Sequence, residues 1–146
     1  MRLTTRTNLA MRTLMFCAVN DGRTVRRHEI AQACNASENH LAQVIHLMAQ
    51  RGFIRTIRGR NGGLALGRNA GDIAVGDVFR SFEAPLPFAE CFVDTGCSCP
   101  LQADCRLRGG LSAALEAFYG TLDRISVEDL VKDNGGLQAV LAVPGP

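Results

Sequence analysis

The sequence is short of several things, and each shortage removes a class of function. No internal repeat or low-complexity tract runs through its 146 residues, so neither a repeat array nor a disordered chain fits. Six cysteines occur but no C-x2-C pair, which weighs against zinc knuckles and against a thiol-redox enzyme of the C-x-x-C type. Only three histidines are available, His28, His40 and His46, all in one short region, and no catalytic constellation can be assembled around them. The chain is therefore not expected to be an enzyme. Lysine is nearly absent: fifteen of the sixteen basic residues are arginine, whose planar fork matches phosphate and guanine edges. With 47% hydrophobic and 21% charged residues and a mean hydropathy of +0.05, the composition is that of a soluble globular chain with no membrane partner. The apolar run from Leu9 to Val19 follows two arginines as a secretion signal would. Arg12 interrupts it, however, and no small-residue cleavage site follows, so a cytoplasmic chain is expected.

The formal net charge of +2 hides a division. Residues 1–80 carry twelve arginines against five acidic residues, a net of +7, whereas residues 81–146 carry four bases against nine acids, a net of −5. One half suits a polyanion and the other avoids it.

The arginine-rich half reads as a DNA-binding module. Residues 7–20 form a helix with Leu9, Leu14, Met15, Phe16, Cys17 and Val19 on a broad apolar face, stopped by Asp21-Gly22. Cys17 is read there as a small buried hydrophobe. A short helix (His28 to Cys34), a break at Asn35-Ala36-Ser37 and a longer helix starting near Ser37 make a helix-turn-helix, with Ile30, Ala31, Leu41, Val44, Ile45 and Met48 facing inward. Ser37 is a good N-cap, and Glu38 complements the helix dipole. Ser37, Asn39, His40 and Gln43 then lie where a recognition helix meets base edges, while His46 reads as ordinary helix surface. After Gly52 the period changes. Phe53 to Arg58 and Leu64 to Leu66 are β-prone runs joined by Gly59-Arg60-Asn61-Gly62-Gly63, a hairpin placed as a wing, with Arg58, Arg60 and Asn61 near its tip. A phosphate-cradling nucleotide loop would need a helix starting at these glycines, and none follows.

Ile73 to Glu83 reads as a short amphipathic helix, and Pro85 and Pro87 close the module. Further on, Leu111, Leu115, Phe118, Leu122 and Ile125 recur in alternating steps of four and three, a seam for a partner helix in a homodimer. Ser126 with Asp129 caps a last short helix, and the stretch from Gly135 to Pro146 reads as a mobile tail.

Between the two halves stand Cys91, Cys97, Cys99 and Cys105, spaced C-x5-C-x-C-x5-C. In a cytosolic chain such clustering points to metal or redox chemistry rather than disulfides. Soft thiolates on a loop, next to glycine and proline that expose backbone amides to sulfide, suit an iron-sulfur cluster. Cys97 and Cys99 bracket one residue, so ligation of one ion by both strains the loop, and three ligands plus one spare is the easier arrangement. A 4Fe-4S cluster held by three thiolates leaves one iron with a weaker ligand, where iron loss, oxygen or nitric oxide would act first.

Leu3-Thr4, Asn8-Leu9-Ala10, Arg12, Arg58-Gly59-Arg60-Asn61-Gly62-Gly63, Glu90-Cys91-Phe92, Cys99-Pro100-Leu101 and Cys105 together resemble the Rrf2 type of iron-sulfur winged-helix regulators, from the first residues to about Lys132. Within that family, Ala89-Glu90-Cys91-Phe92, Cys17-Ala18 with Asn20-Asp21-Gly22, and Ser126 to Lys132 are most similar to the rhizobial iron-responsive branch, which represses iron-uptake genes. The resemblance implies Cys91, Cys99 and Cys105 as cluster ligands, with Cys97 extra. Two departures matter. Members regulating cluster assembly carry a histidine three residues after the last cysteine, where Arg108 stands here. Nitric-oxide-sensing members can supply an acidic ligand from the other subunit at the position of Asn8, and a neutral amide is a poorer iron ligand. Cys105-Arg106-Leu107-Arg108-Gly109 is nevertheless similar to that branch.

The expectation is a mainly α fold: a winged helix-turn-helix with a two-stranded wing in residues 1–84, a cluster-binding loop in 85–105, a long dimerisation helix and short terminal helix in 106–134, and a flexible tail in 135–146. Its function would be cluster-dependent repression at a double-stranded DNA operator, probing iron. A nitric-oxide-responsive repressor of the same family, or a zinc-stabilised DNA-binding module, is the alternative.

Overall fold

Thr4 is extended, and its hydroxyl accepts a hydrogen bond from the Thr7 amide at 3.2 Å, so the chain enters helix α1 (Thr5–Val19) two residues earlier than its apolar pattern predicts. The computed structural model describes residues 3–93 and 97–143. Leu9, Ala10, Leu14, Phe16 and Cys17 of α1 are buried, and the helix packs against most of the others, which makes it the centre of the core. Gly22, at φ +87°, turns the chain out of it in a conformation that a side chain would strain.

Helices α2 (Arg27–Ala33) and α3 (Glu38–Gln50) follow, joined by a tight turn in which Asn35 takes φ +48°. Ile30 and Ala31 of α2 and Leu41, Val44, Ile45 and Met48 of α3 are buried, as their spacing predicts. Strands β1 (Ile54–Ile57) and β2 (Gly63–Leu66) pair antiparallel, with Ile54 opposite Leu66 and Ile57 opposite Gly63. Phe53, Ile54, Leu64 and Leu66 face the core. This is the winged helix-turn-helix.

Helix α4 (Val75–Glu83) starts later than predicted because Ile73 and Val75 pair with a distant segment. The Val127 amide donates to the Ile73 carbonyl at 2.9 Å, and the Val75 amide donates to the Ile125 carbonyl at 2.8 Å. Helix α5 (Arg106–Leu122) leads into that segment. In α6 (Val127–Val131) the Ser126 hydroxyl accepts from the Asp129 amide at 3.1 Å, while the Asp129 carboxylate accepts from the Ser126 amide at 2.8 Å, the reciprocal cap that the sequence predicts.

The tail is a correction. Residues 135–146 read as mobile, yet α7 (Gly135–Leu141) is a docked helix. The Asn134 side chain caps it by accepting from the Leu137 amide at 3.2 Å, and Leu141 is buried in the core. Buried Asn20 donates its side-chain amide to the Leu141 carbonyl at 2.9 Å and accepts from the Val143 amide at 2.9 Å. Gly135 and Gly136 stand at a helix start, and what holds the helix lies 121 and 123 residues away. Residues 144–146 of that stretch lie outside the described residues.

Candidate DNA interface and cysteine loop

Burial of Leu41, Val44, Ile45 and Met48 turns the opposite side of α3 to solvent, so Glu38, Asn39, His40, Gln43, His46 and Gln50 are exposed. Ser37 occupies the N-cap position, but among the described residues its hydroxyl makes no capping hydrogen bond. The first amides of the helix have no intrahelical acceptor, as at any helix start, and they add positive character to an exposed polar face. Gln43 accepts from Arg6 of α1 at 3.5 Å, and the Arg27–Glu38 ion pair at 3.2 Å ties the start of α2 to the start of α3. Asn8 lines a polar cleft of about 410 Å³ with Arg12, Asn35, Ser37 and His40. Its neighbours in its own chain are thus groups of the helix-turn-helix.

Arg58, Arg60 and Asn61 are exposed at the wing tip. Gly59, at φ +109°, makes the turn that carries them. The structure therefore sets Ser37, Asn39, His40 and Gln43 on one helix and the two arginines and Asn61 on the adjoining hairpin, all accessible from outside.

The cysteines fall into two populations. Cys17 and Cys34 are buried. Burial, reinforced by the neighbouring Cys34, pushes the Cys17 thiol up to about 12, so it stays protonated and unreactive near neutral pH. Burial also raises Cys34, opposed by the Arg12 guanidinium, which donates to the Cys34 carbonyl at 3.0 Å. Cys91, Cys97, Cys99 and Cys105 are half-exposed free thiols on the loop between α4 and α5. Cys91 sits in a short 3-10 turn (Glu90–Phe92), and Cys105 is the N-cap of α5. Among its described residues the loop bonds chiefly to itself: the Ser98 hydroxyl donates to Glu90 at 2.6 Å, the Gln102 amide to the Cys99 carbonyl at 3.3 Å, and the Asp104 amide to the Leu101 carbonyl at 3.2 Å.

Four thiols on a self-bonded loop beside the positive end of a seventeen-residue helix are a donor set suited in kind to an anionic iron-sulfur cluster. The described residues do not, however, gather three His, Cys, Asp or Glu side chains into one metal-holding group, so Cys91, Cys99 and Cys105 stand on the same loop without converging.

Two joints flanking the loop escaped the sequence reading. At the end of α4, Glu83 accepts from the Thr4 amide and hydroxyl, both at 2.9 Å, and from the Thr7 hydroxyl. Partial burial pushes its carboxyl up, but these hydrogen bonds outweigh burial and hold it below the ordinary carboxylate range. At the end of α5, Asp123 accepts from Arg80 of α4 in a bidentate pair at 2.6 and 2.7 Å, and the Arg80 guanidinium lies 4.7 Å from the Tyr119 ring centre. Gly76 leaves room for Asp123, since a Cβ there would collide with that carboxylate. The partners are 79 and 43 residues apart, and no local pattern marks them.

The proposed seam on α5 also divides. Phe118 and Leu122, with Ile125 beyond the helix, pack against the core, with Phe79 and Phe118 rings 6.1 Å apart. Leu111 and Leu115 are only half-covered, and Leu115 lines an apolar cavity of about 510 Å³ with Leu3, Leu86, Phe88, Phe92 and Phe118.

Three comparisons bear on these surfaces. The family model "Rrf2: Iron-dependent Transcriptional regulator" matches residues 3–133. The chain is 39% identical over 142 residues to "HTH-type transcriptional regulator NsrR" of Geobacillus kaustophilus, covering 97% of each protein. It is also 39% identical over 146 residues to "Protein aau3" of Rhizobium meliloti, covering 100% of this chain and 95% of that one. Among solved structures it is similar to CymR, described as the global cysteine regulator of B. subtilis, with a TM-score of 0.68 and 26% identity over 90% of this chain and 96% of that one. No helix among the described residues is long and apolar enough to cross a membrane.

Proposed function

The chain belongs to the Rrf2 family of transcriptional regulators, and on that premise we propose that it is a homodimeric repressor dependent on an iron-sulfur cluster, with iron availability as its signal. The observation that carries the reading is the loop: four free, half-exposed thiols within fifteen residues, on a segment whose described hydrogen bonds run mostly within itself, set between the winged helix and α5. Cys91, Cys99 and Cys105 would hold a 4Fe-4S cluster, with Cys97 spare and Asn8 of the partner subunit a further candidate. Bound there, the group supplies iron-sulfur bonds that iron scarcity or oxidants break.

The chain's own residues give the loop two outlets. Its first end continues α4, where Glu83 holds the start of α1; its last end is Cys105, the cap of α5. A change in the loop therefore acts on α1 and α5 together. On α5, exposed Leu107 and half-covered Leu111 and Leu115 offer apolar surface to a twin helix. Asn39, His40 and Gln43, with Ser37 at the cap, would meet base edges in the major groove, and Arg58, Arg60 and Asn61 would reach backbone or minor groove.

The test is purification without air, counting iron and sulfide per chain, then operator binding before and after chelation. About four of each per chain and a loss of affinity on chelation are expected. Protein that carries zinc and no sulfide, or binds the operator equally after chelation, would overturn the reading. Nitric oxide is the second signal to consider, because Cys105-Arg106-Leu107-Arg108-Gly109 is similar to the nitric-oxide-sensing members of the family. Operator release by nitric oxide under iron-replete conditions, with no response to mild iron limitation, would favour it.

A further inference from the structure

The connection between α1 and α2 runs beside the wing and meets β2 in a single antiparallel bridge. The Val25 amide donates to the Leu64 carbonyl at 2.8 Å and the Leu64 amide donates back to the Val25 carbonyl at 2.8 Å, with Val25 fully buried. The residues on either side of Val25 reach further, to the wing tip itself. The Thr24 hydroxyl donates to the Asn61 carbonyl at 3.0 Å, and the Arg26 guanidinium donates to the Arg60 carbonyl at 3.2 Å. Carbonyls in an exposed glycine-rich turn would ordinarily face water. Here two adjacent ones are held by side chains 37 and 34 residues earlier in the chain.

From this juxtaposition we propose that Thr24 and Arg26 are positioning residues for DNA binding, which brace the wing tip so that Arg58 and Arg60 are presented in fixed relation to α3. The proposal rests on the reading of α3 and the wing as the DNA-contacting surface. A two-stranded hairpin is marginal on its own, and a turn with glycines at 59, 62 and 63 is more so. Bracing it beforehand lowers the ordering cost of binding.

The surroundings make the brace continuous with the recognition helix. Gly63 is where the connection passes: a Cβ there would stand 2.6 Å from the Val25 carbonyl oxygen and 3.3 Å from Thr24 Cβ. Arg26 is itself fixed, its amide donating to Glu29 at 2.5 Å, and Glu29 pairs with Arg23 at 2.9 Å. Next along the chain, Arg27 pairs with Glu38 in the first turn of α3 at 3.2 Å. Wing tip, connection, α2 and the start of α3 thus form one hydrogen-bonded chain of elements.

Thr24→Val removes only a hydroxyl and leaves the charge unchanged. The full-length protein is assayed on a duplex that the wild type selects from a random-sequence pool. Thr24→Val is expected to weaken binding about threefold to tenfold, Thr24→Ser to restore it, and Arg26→Gln to weaken it at least as much. Hydroxyl-radical protection at the wing-contacted flank should fade in Thr24→Val, while methylation interference in the major groove and the ranking of operator point variants stay as in the wild type. In the Arg58→Ala/Arg60→Ala background, Thr24→Val should add nothing, because a brace acts only through what it holds. Full affinity in Thr24→Val, or a loss that adds fully to that of the double variant, overturns the brace. A double variant that binds and responds to salt like the wild type overturns the wing reading itself, and the proposal falls with it.

Discussion

Residues 3–83 bury Leu14, Phe16, Ile30, Leu41, Met48 and Val78 almost completely, whereas α5, seventeen residues long, has no fully buried side chain. Apolar faces of α1, α3, α4 and the wing close on one another, and Val127 and Leu141 from the C-terminal half complete that core. The cysteine loop and the first half of α5 pack little: Leu101 and Leu107 are about two-thirds exposed, and among the described residues the loop's hydrogen bonds are largely its own. On the function proposed above, a cofactor, a second copy of the chain, or both would supply the order that this region's own packing does not. That difference suits a sensor, since elements that respond to a ligand come from the less stable part of a fold.

The contrast can be broken most severely in the core. Phe16→Ala is expected to cost about 3–5 kcal/mol in urea unfolding of the cluster-free protein, and Leu101→Ala within about 0.5 kcal/mol; equal costs would show that the loop is packed after all. Next comes thiol chemistry. In chelator-treated protein under native conditions, the four loop cysteines should be alkylated about a hundredfold faster than Cys17 and Cys34, read by mass spectrometry of time points; six equal rates would erase the distinction between the two populations.

Smaller effects sharpen where the halves join. Arg80→Ala should cost about 0.5–1 kcal/mol, the scale of a half-exposed bidentate pair, and speed amide exchange at the end of α5 and in Ile125–Val127 while α1 to α3 keep wild-type rates. Uniform acceleration would mean that the halves unfold as one. The subtlest is acid sensitivity. Because the Glu83 carboxyl is held low in the fold, its contribution to stability is complete above the ordinary carboxylate range and is lost as pH falls through the depressed folded value. Glu83→Gln should therefore be less stable than the wild type at neutral pH and converge with it in acid; a constant difference across that range would exclude the carboxylate as the source.

Much of the winged helix was legible because its signals are local. The alternation of buried positions in α3, the glycine turn at 59–63 and the Ser126–Asp129 cap each lie within a few residues. What was missed has partners far along the chain. The spacing on α5 predicts one seam, but periodicity gives the direction of a face and not the identity of what covers it, and the part near Phe118 meets α4. Thr24 and Arg26 belong to an ordinary-looking linker until the wing folds back beside it.

The division of charge, the periods of the helices, the hairpin turn and the spacing of the cysteines belong to the sequence alone, because each is set by neighbours on the chain and by backbone preference. That α7 docks through Asn20, that Glu83 ties the end of α4 to α1 and Arg80 ties α4 to the end of α5, and that the wing tip is held by the α1–α2 connection were decided only in three dimensions. Each needs two surfaces distant along the chain to arrive at hydrogen-bonding range, and arrival depends on how the whole core packs.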